Sequence, residues 1–289
     1  MQIAYFPGCT LHAKATHLDR SARAAAEILD IKLVELSNWS CCGASFPAVG
    51  GNLMLLASPM RALAQASREG GKLITLCAIC YNVLKRTNYL VANDSESQQK
   101  LAMFTDEDYS GQTKVVHLLD TIRDEIGWDR LKDRLAIQLK GLKVAPYYGC
   151  LLLRPKKEIG LDDPDRPQIL ETFLESLGCE VVEFPYKTEC CGSFISVSAE
   201  EVATDISRRI IDAAVHYGAE AIVGTCPLCQ FNLDNRQREM VSRYKGFKRV
   251  PVFYFTQLLA LGLGLKESAL GLDQHYVDPR PLLSGKGLI

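Results

Sequence analysis

Apolar positions along the chain fall into two alternating rhythms. Short runs rich in β-branched and aromatic residues open the stretches IAYFPGC (3–9), LVELSNWSCCGASF (33–46), KLITLCAIC (72–80) and KVVHLLDTI (114–122). Each such opening is predicted to be a strand. Between them the spacing turns helical. Leu18, Ala22, Ala25, Ala26 and Leu29 form one stripe. A second helix is expected from Ser58, with Pro59 in its first turn and Gly70 at its end. Further on, Ser198 and Glu201 have the spacing of a capping box. Val202, Ile206, Ile210, Ala214 and Tyr217 supply an apolar face, and Gly218 a stop.

The order of elements repeats. VAPYYGC (144–150) matches the first block, VVEFPYKTECCGSF (181–194) the second, AIVGTCPLC (221–229) the third, and VFYFTQLLA (252–260) loosely the fourth. Cys41 to Cys190 spans 149 residues, and so does Cys77 to Cys226. A common offset for two cysteine groups implies a duplicated domain. The seam falls in the polar-to-basic stretch 125–143, dividing the chain into residues 1–135 and 136–289. Strands alternating with helices predict parallel βα units. The expected fold class is therefore α/β: two pseudo-symmetric repeat domains, each a small parallel sheet of about four strands with flanking helices. The cysteines should sit at the carboxyl ends of the strands, where open α/β sheets bind ligands. The CxxC groups should lie at helix starts, which favour thiolate over thiol.

Composition narrows the function. Lys and Arg number 33 against 34 for Asp and Glu, which predicts no nucleic-acid partner. The basic runs RPKK (154–157) and RYKGFKR (243–249) read as solvated surface, with docking or anion binding as the lesser alternative. No signal peptide is expected, since Met1 leads directly into an apolar strand. No membrane span is expected either, because VFYFTQLLALGLGL (252–265) is interrupted by Thr256 and Gln257 and falls short of the ~20 residues needed. A cytoplasmic location follows as an expectation. Eleven cysteines in that setting point to metal or redox chemistry, with a disulfide framework least favoured.

Ten of those cysteines form two sets: Cys9, Cys41, Cys42, Cys77 and Cys80, then Cys150, Cys190, Cys191, Cys226 and Cys229. In both, 34 residues separate the Cys-Cys-Gly pair from the CxxC. Structural zinc and an ordinary iron–sulfur cubane each take four ligands, so a fifth cysteine suggests a polynuclear cluster with a bridging thiolate. Zinc in one or both sites is the alternative. Gly43 and Gly192 would let the backbone pass close to a bulky group or take a positive φ. Cys179 aligns with Ile31 at a strand start and reads as a small buried hydrophobe outside the site. His12, His17 and His117 are expected to be packed or exposed rather than catalytic. A ferredoxin-type cysteine run, a dinucleotide fingerprint, HExxH, a P-loop and GxSxG are all absent from the sequence, so electrons must arrive from another protein.

The doubled pattern resembles the cysteine-rich CCG domain, and the whole chain, from YFPGC to YVDPRPLL (276–283), is similar to bacterial-type members of the heterodisulfide reductase B-subunit family. The resemblance implies that each five-cysteine set ligates a non-cubane [4Fe–4S] cluster, and no catalytic residue beyond the clusters is implied. The expected activity is parting a small-molecule disulfide into two thiols between facing clusters. Electrons would come singly from a ferredoxin-like C subunit, fed by a flavin-containing A subunit. Two other readings compete: an electron relay, as in iron–sulfur proteins serving 2-hydroxyacid oxidation, and a zinc-stapled scaffold. Iron-bound thiolates at an open rim are oxidisable, so an anaerobic setting is expected.

Overall fold

The computed structural model describes residues 1–44 and 51–289. Ser45 and Phe46 of the first Cys-Cys-Gly block lie outside them. Two four-stranded sheets carry the fold. The first is ordered β2-β1-β3-β4, from β1 (Gln2–Tyr5), β2 (Lys32–Glu35), β3 (Lys72–Thr75) and β4 (Lys114–His117). The second repeats that order as β6-β5-β7-β8, from β5 (Lys143–Tyr147), β6 (Glu180–Val181), β7 (Ala221–Gly224) and β8 (Val252–Tyr254). Every pairing is parallel. This is the expected α/β duplication. It arises because six of the eight strands are mainly buried, the edge strands β2 and β6 being the exceptions, so helices must cover the sheets and return the chain in parallel.

The apolar stretch 252–265 becomes β8 followed by the helix Phe255–Gly262, all of whose residues are buried. A helix that is apolar on every side needs cover all round. Much of that cover is the helix Thr16–Ile28, whose predicted stripe of Leu18, Ala22, Ala25 and Ala26 is buried. Ser21 and Thr256 hydroxyls meet at 2.7 Å inside this contact, which joins the two halves. Elsewhere Asn82 donates across the halves to the carbonyls of Leu151 and Arg154, both at 2.7 Å. No helix among the described residues is long and apolar enough to cross a membrane.

The predicted capping box at Ser198 does not form. The helix runs Glu200–His216, and its N-cap is Ala199, without a side-chain cap bond. Its buried face is also rotated from the expected one: Ala203, Ser207, Ile210, Ile211 and Ala214 face inward, while Val202 and Tyr217 are exposed. The cause is tertiary. Ser207 donates to the Cys191 carbonyl at 3.0 Å, and Ala203 lies against Gly192, so the helix turns its small residues toward the cysteine loop. In the first half the helix runs Ala57–Arg68, one residue ahead of the expected start at Ser58 and with Pro59 in its first turn, and Ser58 donates to the Cys41 carbonyl at 2.8 Å. Gly70 and Gly218 do end their helices in left-handed conformations.

One buried acid gives a test of the packing. Burial raises the Asp120 carboxyl to about 7, so the folded chain keeps a proton that the unfolded chain releases near pH 4. That contribution is complete below the unfolded value and is lost as pH climbs through about 7. Asp120→Asn is therefore expected to stabilise the chain at pH 8, by at most about 4 kcal/mol, and to be nearly neutral at pH 4. Thermal unfolding of both proteins at the two pH values checks this; equal shifts at both would contradict it.

Candidate metal centre

The strands deliver the cysteines to one rim in each half. Cys9 begins the short helix Cys9–Ala13 after β1. Cys77 is the N-cap of the helix Ala78–Asn93 after β3, and Cys226 the N-cap of Pro227–Gln230 after β7, with the proline in its first turn. Cys150 follows β5 in a turn. The Cys-Cys-Gly pairs stand farther from their strands, on loops reaching back over the rim.

The two halves build the same contacts. Cys42 and Cys80 sulfurs are 3.5 Å apart, and Cys191 and Cys229 sulfurs 3.4 Å. Cys9 meets Cys41 at 3.5 Å in the first half; in the second, Cys190 is the first of the neighbours that raise the Cys150 thiol. The Gly43 N–H points at Cys41 Sγ (3.5 Å), and the Gly192 N–H at Cys190 Sγ (3.4 Å). Cys9, Cys41 and Cys190 are exposed and Cys150 partly so, while Cys42, Cys77, Cys80, Cys191, Cys226 and Cys229 are buried. Each set is thus a buried cradle with one open side. Cys179 is buried apart from both, its thiol pushed up to about 12 by burial alone.

Charge is shared within each set. Hydrogen bonds from Cys80, Cys150 and Cys229 hold Cys42, Cys190 and Cys226 below the ordinary thiol range. The same bonds raise Cys80 and Cys150, while a bond to Cys191 raises Cys229. Five thiols this close cannot all ionise unless positive charge is placed among them. Among the described residues, no three Cys, His, Asp or Glu side chains are arranged to hold a single metal ion.

Two glycines that sequence reasoning passed over shape the cradles. Gly8 and Gly149 have φ of 78° and 64°, and a Cβ on either would point at sulfur: 2.7 Å from Cys80 Sγ for Gly8, 3.1 Å from Cys229 Sγ for Gly149. They are the residues before Cys9 and Cys150 in the repeated block, which was the available signal. Gly43 and Gly192 do have positive φ, 85° and 79°. At Gly192, however, a Cβ would strike the Ala203 backbone (3.1 Å) rather than a cysteine.

The second Cys-Cys-Gly loop rests on a buried polar scaffold. Asn232 donates to the Cys191 carbonyl at 2.9 Å. Arg236, itself buried, donates to Asn232 Oδ1 (3.0 Å), Thr204 Oγ1 (3.1 Å) and the Ser196 carbonyl (3.2 Å). Arg236→Met leaves those acceptors short of a donor. It is expected to cost about 3 kcal/mol and to weaken metal retention in the second half only. Denaturant unfolding together with metal content of the variant checks this. In the basic run 154–157, Arg154 donates to the Thr188 carbonyl at 3.0 Å beneath the same loop, and Lys156 pairs with Asp163 at 2.8 Å.

The histidines take structural places. His12 pairs with Glu35 at 3.1 Å beside Trp39. His17 and His117 are buried, and burial lowers both to about 4, which leaves them uncharged at neutral pH.

A duplicated parallel α/β fold with a five-cysteine cradle in each half defines a cysteine-rich redox protein. The chain belongs to the CCG family, whose description is "Cysteine-rich domain" and which matches residues 3–85 and 144–234. It is 34% identical to the membrane anchor subunit of the 8-methylmenaquinol:fumarate reductase of Wolinella succinogenes, over 97% of this chain and 99% of that one. It is 27% identical to the B subunit of the ferredoxin/F(420)H(2)-dependent CoB-CoM heterodisulfide reductase of Methanosarcina acetivorans, over 96% and 94%. A protein of Archaeoglobus profundus, named as like the B subunit of heterodisulfide reductase, is 28% identical over 90% and 89%. Among solved structures, a hypothetical protein from Helicobacter pylori superposes with a TM-score of 0.76 at 16% identity over 95% of this chain, which spans about half (51%) of that one. These relatives make the chain an oxidoreductase-type subunit of heterodisulfide reductase-like kind.

Proposed function

We propose that this chain is the disulfide-reducing subunit of a heterodisulfide reductase-like complex, with residues 1–135 and 136–289 as its two CCG domains. In this reading Cys9, Cys41, Cys42, Cys77 and Cys80 hold one non-cubane [4Fe–4S] cluster. Cys150, Cys190, Cys191, Cys226 and Cys229 hold the other. The observation that carries the reading is the doubling itself: two cradles with matching sulfur contacts, each open on one side, in halves that pack directly together. Five cysteines, which would repel one another as thiolates, also suit a polynuclear cation better than a single four-coordinate zinc.

When bound, the clusters would supply electrons one at a time, and parting a disulfide into two thiols takes two electrons and two protons. The chain's own part is to position. The Gly43 and Gly192 N–H groups point at Cys41 and Cys190; at Cys190 this helps to favour thiolate, whereas at Cys41 burial outweighs it and raises the thiol to about 11. The buried cysteines keep water from the inner side, and the exposed ones mark where a small disulfide enters. A ferredoxin-like C subunit and a flavin-containing A subunit are the electron source in this reading. A cytoplasmic setting goes with it, since thiols stay reduced there.

A second reading is favoured by the relative at 34% identity, which is named for 8-methylmenaquinol:fumarate reductase. There the chain relays electrons from a quinol, and no sulfur substrate binds. EPR spectra of the anaerobic, iron-loaded protein before and after adding candidate thiols separate the two. A thiol-dependent change in the cluster signals supports disulfide chemistry. Spectra that ignore every thiol, but are reduced by a menaquinol analogue, support the relay.

A further inference from the structure

Beside the second cysteine cradle lies an apolar patch that the chemistry above leaves unused. Val197 is 99% exposed, Phe194 63%, Val202 52% and Phe231 49%. Contacts beneath join them into one surface. The Phe231 ring lies 6.0 Å from the Arg236 guanidinium, which donates to the carbonyl of Ser196, the residue before Val197. Arg243 reaches Glu201, the neighbour of Val202, at 2.8 Å. The Ser196 hydroxyl donates to Asn232, which in turn holds the Cys191 carbonyl, so the patch is tied to the Cys-Cys-Gly loop and its exposed Cys190. Open apolar side chains gathered on one face mark a place for another molecule. The duplication shows that the fold does not require them there. The residue 149 positions before Phe231 is Asn82, which is buried and donates to the Leu151 and Arg154 carbonyls of the other half. One place in the repeat is consumed by the joint between the halves, and its duplicate is a phenylalanine left open.

Charge says what fits this face. Its rim is the helix Gln237–Arg243 and the basic run 243–249. Arg236 and Arg243 are paired with Glu200 and Glu201, but among the described residues Arg238, Lys245, Lys248 and Arg249, all exposed, meet no carboxylate. An apolar centre with an unpaired cationic rim fits a protein whose own rim is acidic. An anionic membrane fits less well, since Glu200 and Glu201 stand among the apolar side chains and would face its headgroups. Another exposed pair, Met103 and Phe104, closes the helix Ser95–Thr105, but Asp106, Glu107 and Asp108 directly after it make that rim acidic. The chain has no ferredoxin-type cysteine run and no dinucleotide fingerprint, so a separate protein must exchange electrons with it. We infer that this face of the second half is the docking surface for an acidic iron–sulfur electron carrier, and that electrons pass between carrier and chain at the second cysteine site rather than the first. Each encounter moves one electron: the carrier's reduced cluster is oxidised as the second site is reduced.

The electron route rests on the iron–sulfur reading; the docking face does not. A small acidic ferredoxin carrying [4Fe–4S] clusters is the probe. Its binding is measured by titration calorimetry, which needs no iron in this chain, and its reduction of the iron-loaded chain by stopped-flow absorbance. Val197→Asp, and Lys248→Glu together with Arg249→Glu, are compared with the unaltered chain, with Met103→Asp as the control. The unaltered chain should bind the probe and be reduced by it, both less readily as salt is raised. Each second-half variant should weaken binding and slow that reduction about tenfold at low salt. Reduction by dithionite, which needs no docking, should be unchanged in all of them, and Met103→Asp should match the unaltered chain throughout. The proposal is overturned if the unaltered chain does not bind the probe, if Met103→Asp weakens binding as much as Val197→Asp, or if dithionite reduction slows equally. It is overturned as well if Val197→Asp instead abolishes pairing of two copies in sedimentation, or flotation with phosphatidylglycerol vesicles. A chain that holds zinc yet binds the probe through this face would uphold the docking surface and strike the iron–sulfur reading beneath it.

Discussion

Gly8→Ala is expected to empty the first cysteine site while leaving the second loaded. The added Cβ would lie 2.7 Å from Cys80 Sγ, a separation that real Cβ atoms do not tolerate. The residue would also have to keep φ near 78°, which disfavours alanine by about 1–2 kcal/mol. Cys80 must move, and its contact with Cys42 goes with it. Gly149→Ala makes the same backbone demand, but its Cβ would lie 3.1 Å from Cys229 Sγ, close enough to be relieved by a small shift. It should keep its metal with an altered spectrum. Iron per chain on the two variants checks the ranking: a loss of about four irons for Gly8→Ala and little for Gly149→Ala. Equal retention in both would mean that the glycines do not shape the cradles.

The second large effect concerns the paired cysteines. Cys42→Ala and Cys191→Ala each remove a buried sulfur that meets the CxxC of its own half, at 3.5 and 3.4 Å. Each variant should lose about half the iron, a different half in each case, so their EPR spectra should be complementary. Cys179→Ala is the control. It takes a buried thiol from the core, costs about 1 kcal/mol of stability, and should leave iron unchanged. Loss of all iron from either paired-cysteine variant would show that the two sites do not load independently.

Much of this architecture could be read from the chain before its structure. The repeat, the strand blocks and the helix stripe at Leu18, Ala22, Ala25 and Ala26 depend on local periodicity, and they reappear in two parallel sheets of identical order. The ten cysteines are legible for the same reason: a doubled motif with one offset survives without knowledge of contacts. What escaped reading depends on tertiary neighbours. Ser198 and Glu201 have capping-box spacing, yet the helix face is decided by Ser207 and Ala203 meeting the Cys191–Gly192 loop. Gly43 and Gly192 drew notice because they touch the cysteine pairs in sequence. Gly8 and Gly149 adjoin Cys9 and Cys150 just as closely, but the sulfurs that they face, Cys80 and Cys229, reach them only by folding. Asn232 and Arg236 follow Cys229 closely in sequence but belong to no cysteine motif, and only folding sets them beneath the Cys191–Gly192 loop.

The most direct measurement is the iron, acid-labile sulfide and zinc bound per chain after anaerobic purification. Two clusters of four irons require about eight irons with matching sulfide. About two zinc ions per chain with no sulfide would contradict the account and leave a zinc-stapled scaffold in its place.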